Sequence, residues 1–75
     1  MTTKQVEEKV IELIYRKPFI PFILDMADGQ SMLIPHPRLA IDENGAGFIG
    51  LDGGLVDIEF KNVRTIRLVS TEAVA

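Results

Sequence analysis

The stretch from Phe19 to Pro35, FIPFILDMADGQSMLIP, decides how this 75-residue chain folds. Phe19 to Met26 is rich in aromatic and β-branched side chains, which suit a pleated, half-buried surface. Pro21 has no amide hydrogen to give a neighbouring strand, which places the start of this run at an edge or a bend. Asp28-Gly29 is a tight-hairpin signal, and residues 30–35, QSMLIP, return as a second strand.

Downstream the punctuation repeats. His36-Pro37 breaks the second strand, and Arg38 to Ile41 is a short extended link. Asn44-Gly45 with Gly47 forms a turn cluster before a short strand at Phe48 to Leu51. Asp52-Gly53-Gly54 turns the chain again. Leu55 to Phe60 then alternates, with Val56, Ile58 and Phe60 on one face and Asp57 and Glu59 on the other. Lys61-Asn62 is a very tight link to a last strand, Val63 to Val69, and residues 70–75 read as a frayed tail.

Upstream the period changes. Val6, Val10, Leu13 and Ile14 recur at helical spacing, and Ile11 widens the stripe, so residues 2–16 are expected as an amphipathic helix. Thr2 followed by Gln5 fits a capping box. Glu12 and Arg16 stand at i, i+4 and are expected to pair. Pro18 stops the helix by disfavouring helical geometry at Lys17. The expected fold is therefore one domain over residues 1–75, mostly β with an N-terminal helix. Its residues 19–69 make a small five-stranded bent sheet, or an SH3-like or Sm-like barrel that removes two bare edges.

Composition narrows the chemistry. Ordering each residue costs on the order of 1.5 kcal/mol, so so short a chain often recruits a disulfide, a metal or a partner subunit. There is no cysteine and only one histidine. Disulfides, thiolate zinc sites, cysteine nucleophiles and a histidine-cluster metal site within one chain are thereby excluded. Self-association is the support that remains. A formal charge of −3 and a pI near 4.9 disfavour coating by nucleic acid, although a local basic patch stays open. No apolar run approaches the roughly 20 residues of a membrane span, and a cytoplasmic location with no membrane partner is expected.

Few residues carry candidate chemistry. His36, between Pro35 and Pro37, is the one side chain suited to acid–base work near neutral pH, and equally suited to ending a strand by bonding a nearby carbonyl. No nucleophile accompanies it, since Ser31 and Ser70 lack a G-x-S-x-G context. Asp42-Glu43-Asn44-Gly45 has the look of a calcium loop without its ligand spacing, because the twelfth position from Asp42 is Gly53, so a solvated turn is expected. Glycines 45, 47, 50, 53 and 54 serve turns rather than phosphate, with no helix and no Gly-Lys-Ser/Thr behind them.

Lys61, Arg64 and Arg67 are the candidate nucleic-acid contacts. The odd spacing of Arg64 and Arg67 sends them to opposite strand faces unless a bulge intervenes. Of the aromatic residues only Phe48 is free for base stacking. Tyr15, Phe19 and Phe22 are expected to close the core under the helix, or else to form an apolar groove for a partner.

The elements Pro18-Phe19-Ile20-Pro21-Phe22, Asp28-Gly29 and His36-Pro37 resemble a family of short, uncharacterised bacterial proteins with a PFxPF, Asp-Gly, His-Pro pattern. The resemblance covers about residues 17–37 and continues more loosely through DIEFKNVRTIRLV. A glutamate often follows the His-Pro there, and this chain has Arg38. The family implies a small β-barrel-like domain and no established activity. A thinner likeness to Sm-like proteins, which bind RNA through loops, rests on the helix, the strand–Asp-Gly–strand unit and the bent sheet; Ile66-Arg67 is followed by Leu68 where those proteins have glycine.

The expected function is accordingly a non-enzymatic interaction or regulatory module that self-associates through an edge strand or the apolar helix, or binds another protein. Alternatives are an Sm-like RNA binder, and a ligand-binding or catalytic barrel using His36. No cofactor and no metal are expected, and His36, Arg38 and Tyr15 are the candidate partner or ligand site.

Overall fold

The computed structural model describes residues 1–69; the expected tail at 70–75 lies outside the described residues. One helix, α1 (Thr3–Ile14), precedes six strands: β1 (Phe22–Met26), β2 (Ser31–Ile34), β3 (Ala40–Ile41), β4 (Gly45–Ile49), β5 (Leu55–Glu59) and β6 (Val63–Leu68). A 3-10 turn at Phe60–Asn62 joins β5 to β6.

The helix forms as its spacing dictates. Thr2 Oγ1 accepts from the Gln5 amide at 3.1 Å, and Gln5 Oε1 accepts from the Thr2 amide at 2.9 Å, so the capping box is complete. Val6, Val10 and Leu13 are buried on one face. The helix ends at Ile14, two residues short of the expected boundary, and Tyr15 caps it. On the polar face Lys9 takes Glu12 at 3.3 Å and Lys4 takes Glu8 at 3.8 Å, in place of the expected Glu12–Arg16 pair, since Arg16 lies beyond the last helical turn.

All strand pairs are antiparallel, in two three-stranded sheets of order β2-β1-β6 and β3-β4-β5. The expected five strands become six because the link expected at Arg38 to Ile41 pairs with β4, Ala40 opposite Gly47 and Ile41 opposite Ala46. Pro35 and Pro37 cannot donate to a ladder, so β2 stops at Ile34 and β3 resumes at Ala40. The expected closed barrel is corrected as well. Among the described residues β5 and β6 follow one another through the 3-10 turn and do not pair, which leaves two open sheets around a shared core.

The hairpins β1–β2 and β4–β5 use the same three-residue loop. In Ala27-Asp28-Gly29, Met26 donates to the Gln30 carbonyl and Asp28 Oδ1 takes the Gln30 amide at 3.0 Å. In Leu51-Asp52-Gly53, Gly50 donates to the Gly54 carbonyl and Asp52 Oδ1 takes the Gly54 amide at 2.9 Å. The third loop residue has positive φ in both, 91° at Gly29 and 87° at Gly53, where a side chain would strain the backbone.

Alternation delivers the core. Phe22 and Leu24 of β1, Ile34 of β2, Phe48 of β4, Ile58 of β5, Phe60 and Val63 point inward to meet Val6, Val10 and Leu13. Two side-chain placements depart from expectation. Tyr15 is 74% exposed, because the helix ends before it and its ring turns away from the Phe19–Phe22 pair that does pack, edge to face at 6.1 Å. Phe48, expected to be exposed, is buried because β4 begins at Gly45 and so sets position 48 inward.

Phe60 is fully buried where the helix meets the 3-10 turn. Phe60→Ala is expected to cost about 3–5 kcal/mol. Thr2→Ala, which removes only the cap, is expected to cost about 1 kcal/mol. Urea unfolding of the two variants checks the order; equal losses would contradict this account of the core.

Candidate functional site

On the outward face of the first sheet, three residues stand in one row across the strands. Asp25 of β1 lies opposite Ser31 of β2 on one side and Thr65 of β6 on the other. Arg67, two residues beyond Thr65, shares their face. The Asp25 carboxylate accepts from Ser31 Oγ at 2.8 Å, Thr65 Oγ1 at 3.0 Å, Arg67 Nε at 2.8 Å and Arg67 Nη2 at 3.1 Å. The Arg67 pair is two-pronged, the geometry in which arginine holds a carboxylate best.

These donors favour the charged carboxylate. Arg67 hydrogen bonding, followed by that of Ser31, holds the Asp25 pKa well below the usual carboxylate range, while partial burial opposes them. Asp25 in turn raises the pKa of Arg67. A carboxylate held so firmly in its charged form is a poor general base, and the cluster works as a clamp across three strands.

Two of the three candidate nucleic-acid contacts are engaged by carboxylates. Arg67 is engaged by Asp25, and Lys61 meets Glu59 at 3.3 Å. A bulge does intervene on β6. Asp25 pairs with Thr65 while Met26 pairs with Val63, so Arg64 is the extra residue, exposed and without an ion pair among the described residues.

His36 sits at the corner between the sheets, half-buried, its ring perpendicular to that of Phe48 at 5.6 Å. The Arg38 amide donates to His36 Nδ1 at 3.2 Å, so Nδ1 is unprotonated and Nε2 carries the proton. Nε2 donates that proton to the Ile49 carbonyl at 2.8 Å. Both ring nitrogens are thus committed to backbone. Arg38 is exposed beside it, and Tyr15 is exposed at the helix end.

Asp42 Oδ1 accepts the amides of Asn44 and Gly45, both at 2.8 Å, which makes the acidic stretch an ordinary turn. Among the described residues no group of three histidine, aspartate or glutamate side chains could hold a metal. An open groove of about 950 Å³ runs over the outer face of β3–β5, floored by Gly45 and Gly47 and bordered by Arg38 and Asp57. Its floor has a structural cause. A Cβ at Gly47 would lie 2.8 Å from Asp57 Oδ1, and one at Gly45 would run into the Ile58 carbonyl.

At the end of this groove lies a feature that the sequence reading did not single out. Ile49 and Leu55 face each other across the β4–β5 hairpin, and Leu51 tops its loop. They are 54%, 70% and 83% exposed. The turn does not need Leu51, because its counterpart in the twin loop is Ala27. That comparison of the two Asp-Gly loops was the available signal.

No family model, curated protein or solved structure matches the chain. Among the described residues no helix is long and apolar enough to cross a membrane.

The clamp predicts an acid response. A carboxyl whose native pKa is depressed stabilises the fold above its unfolded value, about 3.9, and loses that contribution as pH falls below it. Asp25→Asn should therefore lower the urea midpoint most at neutral pH, with the gap to wild type closing below about pH 4. A gap independent of pH would contradict the role given to the Asp25 charge.

Proposed function

We propose that the protein is a non-enzymatic interaction module that self-associates through the β4–β5 hairpin and the free edge of β5. The observation that carries this reading is the cluster of Ile49, Leu51 and Leu55, three large apolar side chains exposed on one hairpin whose twin loop manages with alanine. Clustered exposed apolar side chains beside an unpaired edge mark an interaction surface. The helix is a poor alternative, because Val6, Val10 and Leu13 are already buried in the chain's own core.

Charge selects the register of such a pairing. Leu55, Asp57 and Glu59 share the outer face of β5. An antiparallel pair of β5 strands centred on Asp57 would set like charges opposite each other, which is destabilising. Centred on Leu55, the same pair aligns Ile49, Leu55 and their two symmetry mates in one apolar row and carries the carboxylates to either end. A twofold of this kind uses the same patch on both subunits.

The RNA-binding reading has less support, since Lys61 and Arg67 are paired and Phe48 is buried. A catalytic role for His36 has less still, with both ring nitrogens bonded to backbone.

Because the chain has no cysteine, single-cysteine variants report contacts cleanly. Residues directly opposite in an antiparallel pair have Cβ atoms about 4.5–5.5 Å apart, close to disulfide reach. Leu55→Cys should oxidise to a covalent dimer and Asp57→Cys should not, while Leu55→Lys should elute as a monomer with light-scattering detection. A wild-type protein that stays monomeric at every concentration would overturn the reading, and a particle carrying strong 260 nm absorbance would favour RNA binding instead.

A further inference from the structure

The turn that enters β4, Asp42-Glu43-Asn44-Gly45, contains the chain's one Asn-Gly pair; the other asparagine, Asn62, precedes the β-branched Val63. Asn-Gly is the pair most open to deamidation, because glycine carries no side chain to hinder its own nitrogen. The Gly45 backbone nitrogen loses its proton and bonds to Asn44 Cγ, and the Asn44 side-chain nitrogen leaves as ammonia. Water then opens the resulting five-membered succinimide at one of its two carbonyls, giving aspartate or isoaspartate. Asn44 is exposed to that water, whereas Gly45 is buried.

The fold opposes the first step in two ways. The amides of Asn44 and Gly45 both donate to Asp42 Oδ1 at 2.8 Å. Two successive amides aimed at one oxygen lie on the same side of Asn44, which turns the Gly45 nitrogen toward the Asn44 nitrogen rather than toward its side chain. The Asn44 carbonyl accepts from the Phe60 amide at 2.9 Å, so the peptide group between Asn44 and Gly45 is held at its nitrogen and at its oxygen. Rotating it until the nitrogen meets Cγ breaks both bonds. Charge adds the second obstacle. The bond to Asp42 is charge-assisted, and a deprotonated Gly45 nitrogen would face a carboxylate of like sign.

We propose that Asn44 is a latent deamidation site that Asp42 holds shut in the folded protein, so that it reacts in molecules whose turn has opened. The inference is independent of how the molecule associates. Its consequence falls on the second sheet. Isoaspartate routes the chain through the former side chain and adds one backbone atom just before β4. Gly45 stands opposite Glu59, and a Cβ there would already run into the Ile58 carbonyl. The added atom has no room, and β4 loses its register on β5 at this end.

The test follows deamidation at mildly alkaline pH by mass, with peptide mapping to separate Asn44 from Asn62. Folded wild type, wild type in urea and the free peptide IDENGAGF, residues 41–48, are compared. The folded protein should react at least roughly tenfold more slowly than the peptide, the effect of losing one hydrogen bond to a charged group, and the urea sample should match the peptide. Asp42→Ala should raise the folded rate by roughly tenfold. Asp42→Ser, whose hydroxyl holds such amides more weakly, should fall between. Glu43→Ala, which removes a neighbouring carboxylate that bonds neither amide, should keep the wild-type rate.

Circular dichroism establishes that each variant is folded, and Asp42→Ser carries the comparison if Asp42→Ala is not. A folded wild type that deamidates at the peptide's rate overturns the closed site. Folded Asp42 variants as slow as wild type overturn the role of Asp42. An equal acceleration in Glu43→Ala would assign the protection to negative charge in general and overturn the hydrogen-bond account.

Discussion

Strand β1 is the member on which the first sheet depends, and its two faces do different work. Inward, Phe22 and Leu24 are fully buried beneath the helix. Outward, Asp25 collects hydroxyls from both neighbouring strands and the two-pronged Arg67. Ser31 reaches it across a hairpin, six residues away. Thr65 and Arg67 reach it from 40 and 42 residues away, so closing that contact fixes the last strand against the first. Exposed ion pairs alone contribute little. Here the pair is joined to two hydroxyl bonds on a carboxylate that is only 16% exposed, and it specifies which strands lie side by side.

The second sheet is built with less to spare. Gly45 and Gly47 leave its outer face bare so that β5 can approach β4 and Asp57 can lean across. Its hairpin ends in exposed apolar side chains where the first hairpin ends in Ala27, whose amide is bonded to the Asn62 carbonyl at 2.7 Å. One Asp-Gly loop is tied into the molecule, and the other is left facing outward with a leucine at its tip. The asymmetry between twin turns is the structural basis for placing the proposed interaction surface on β4–β5.

Local chemistry was readable in advance wherever it depended on neighbours in sequence. The capping box at Thr2 and Gln5, the buried stripe of Val6, Val10 and Leu13, and the inward set of Ile58 and Phe60 all follow from spacing. Long-range partnerships were not. Asp25 sits inside the apolar run FILDM with nothing nearby to explain it, and its partners are known only once β2 and β6 flank it. A mirror-image signal did exist, for Ser31 stands as far after Asp28 as Asp25 stands before it. The β6 bulge at Arg64 was equally hidden, because it arises from how β6 registers on β1. His36 shows both sides of this. The prolines beside it announced a corner, but only the fold supplies Ile49 as the acceptor for its ring.

The central claim is that the edge of β5 is covered by a second copy of the chain. Amide hydrogen exchange measured on dilute and on concentrated protein tests it most directly. This account expects protection at the Leu55 end of β5 to rise with concentration, while the amides of Ser31–Ile34 on β2 hold constant. Equal protection of β5 at both concentrations would contradict the claim.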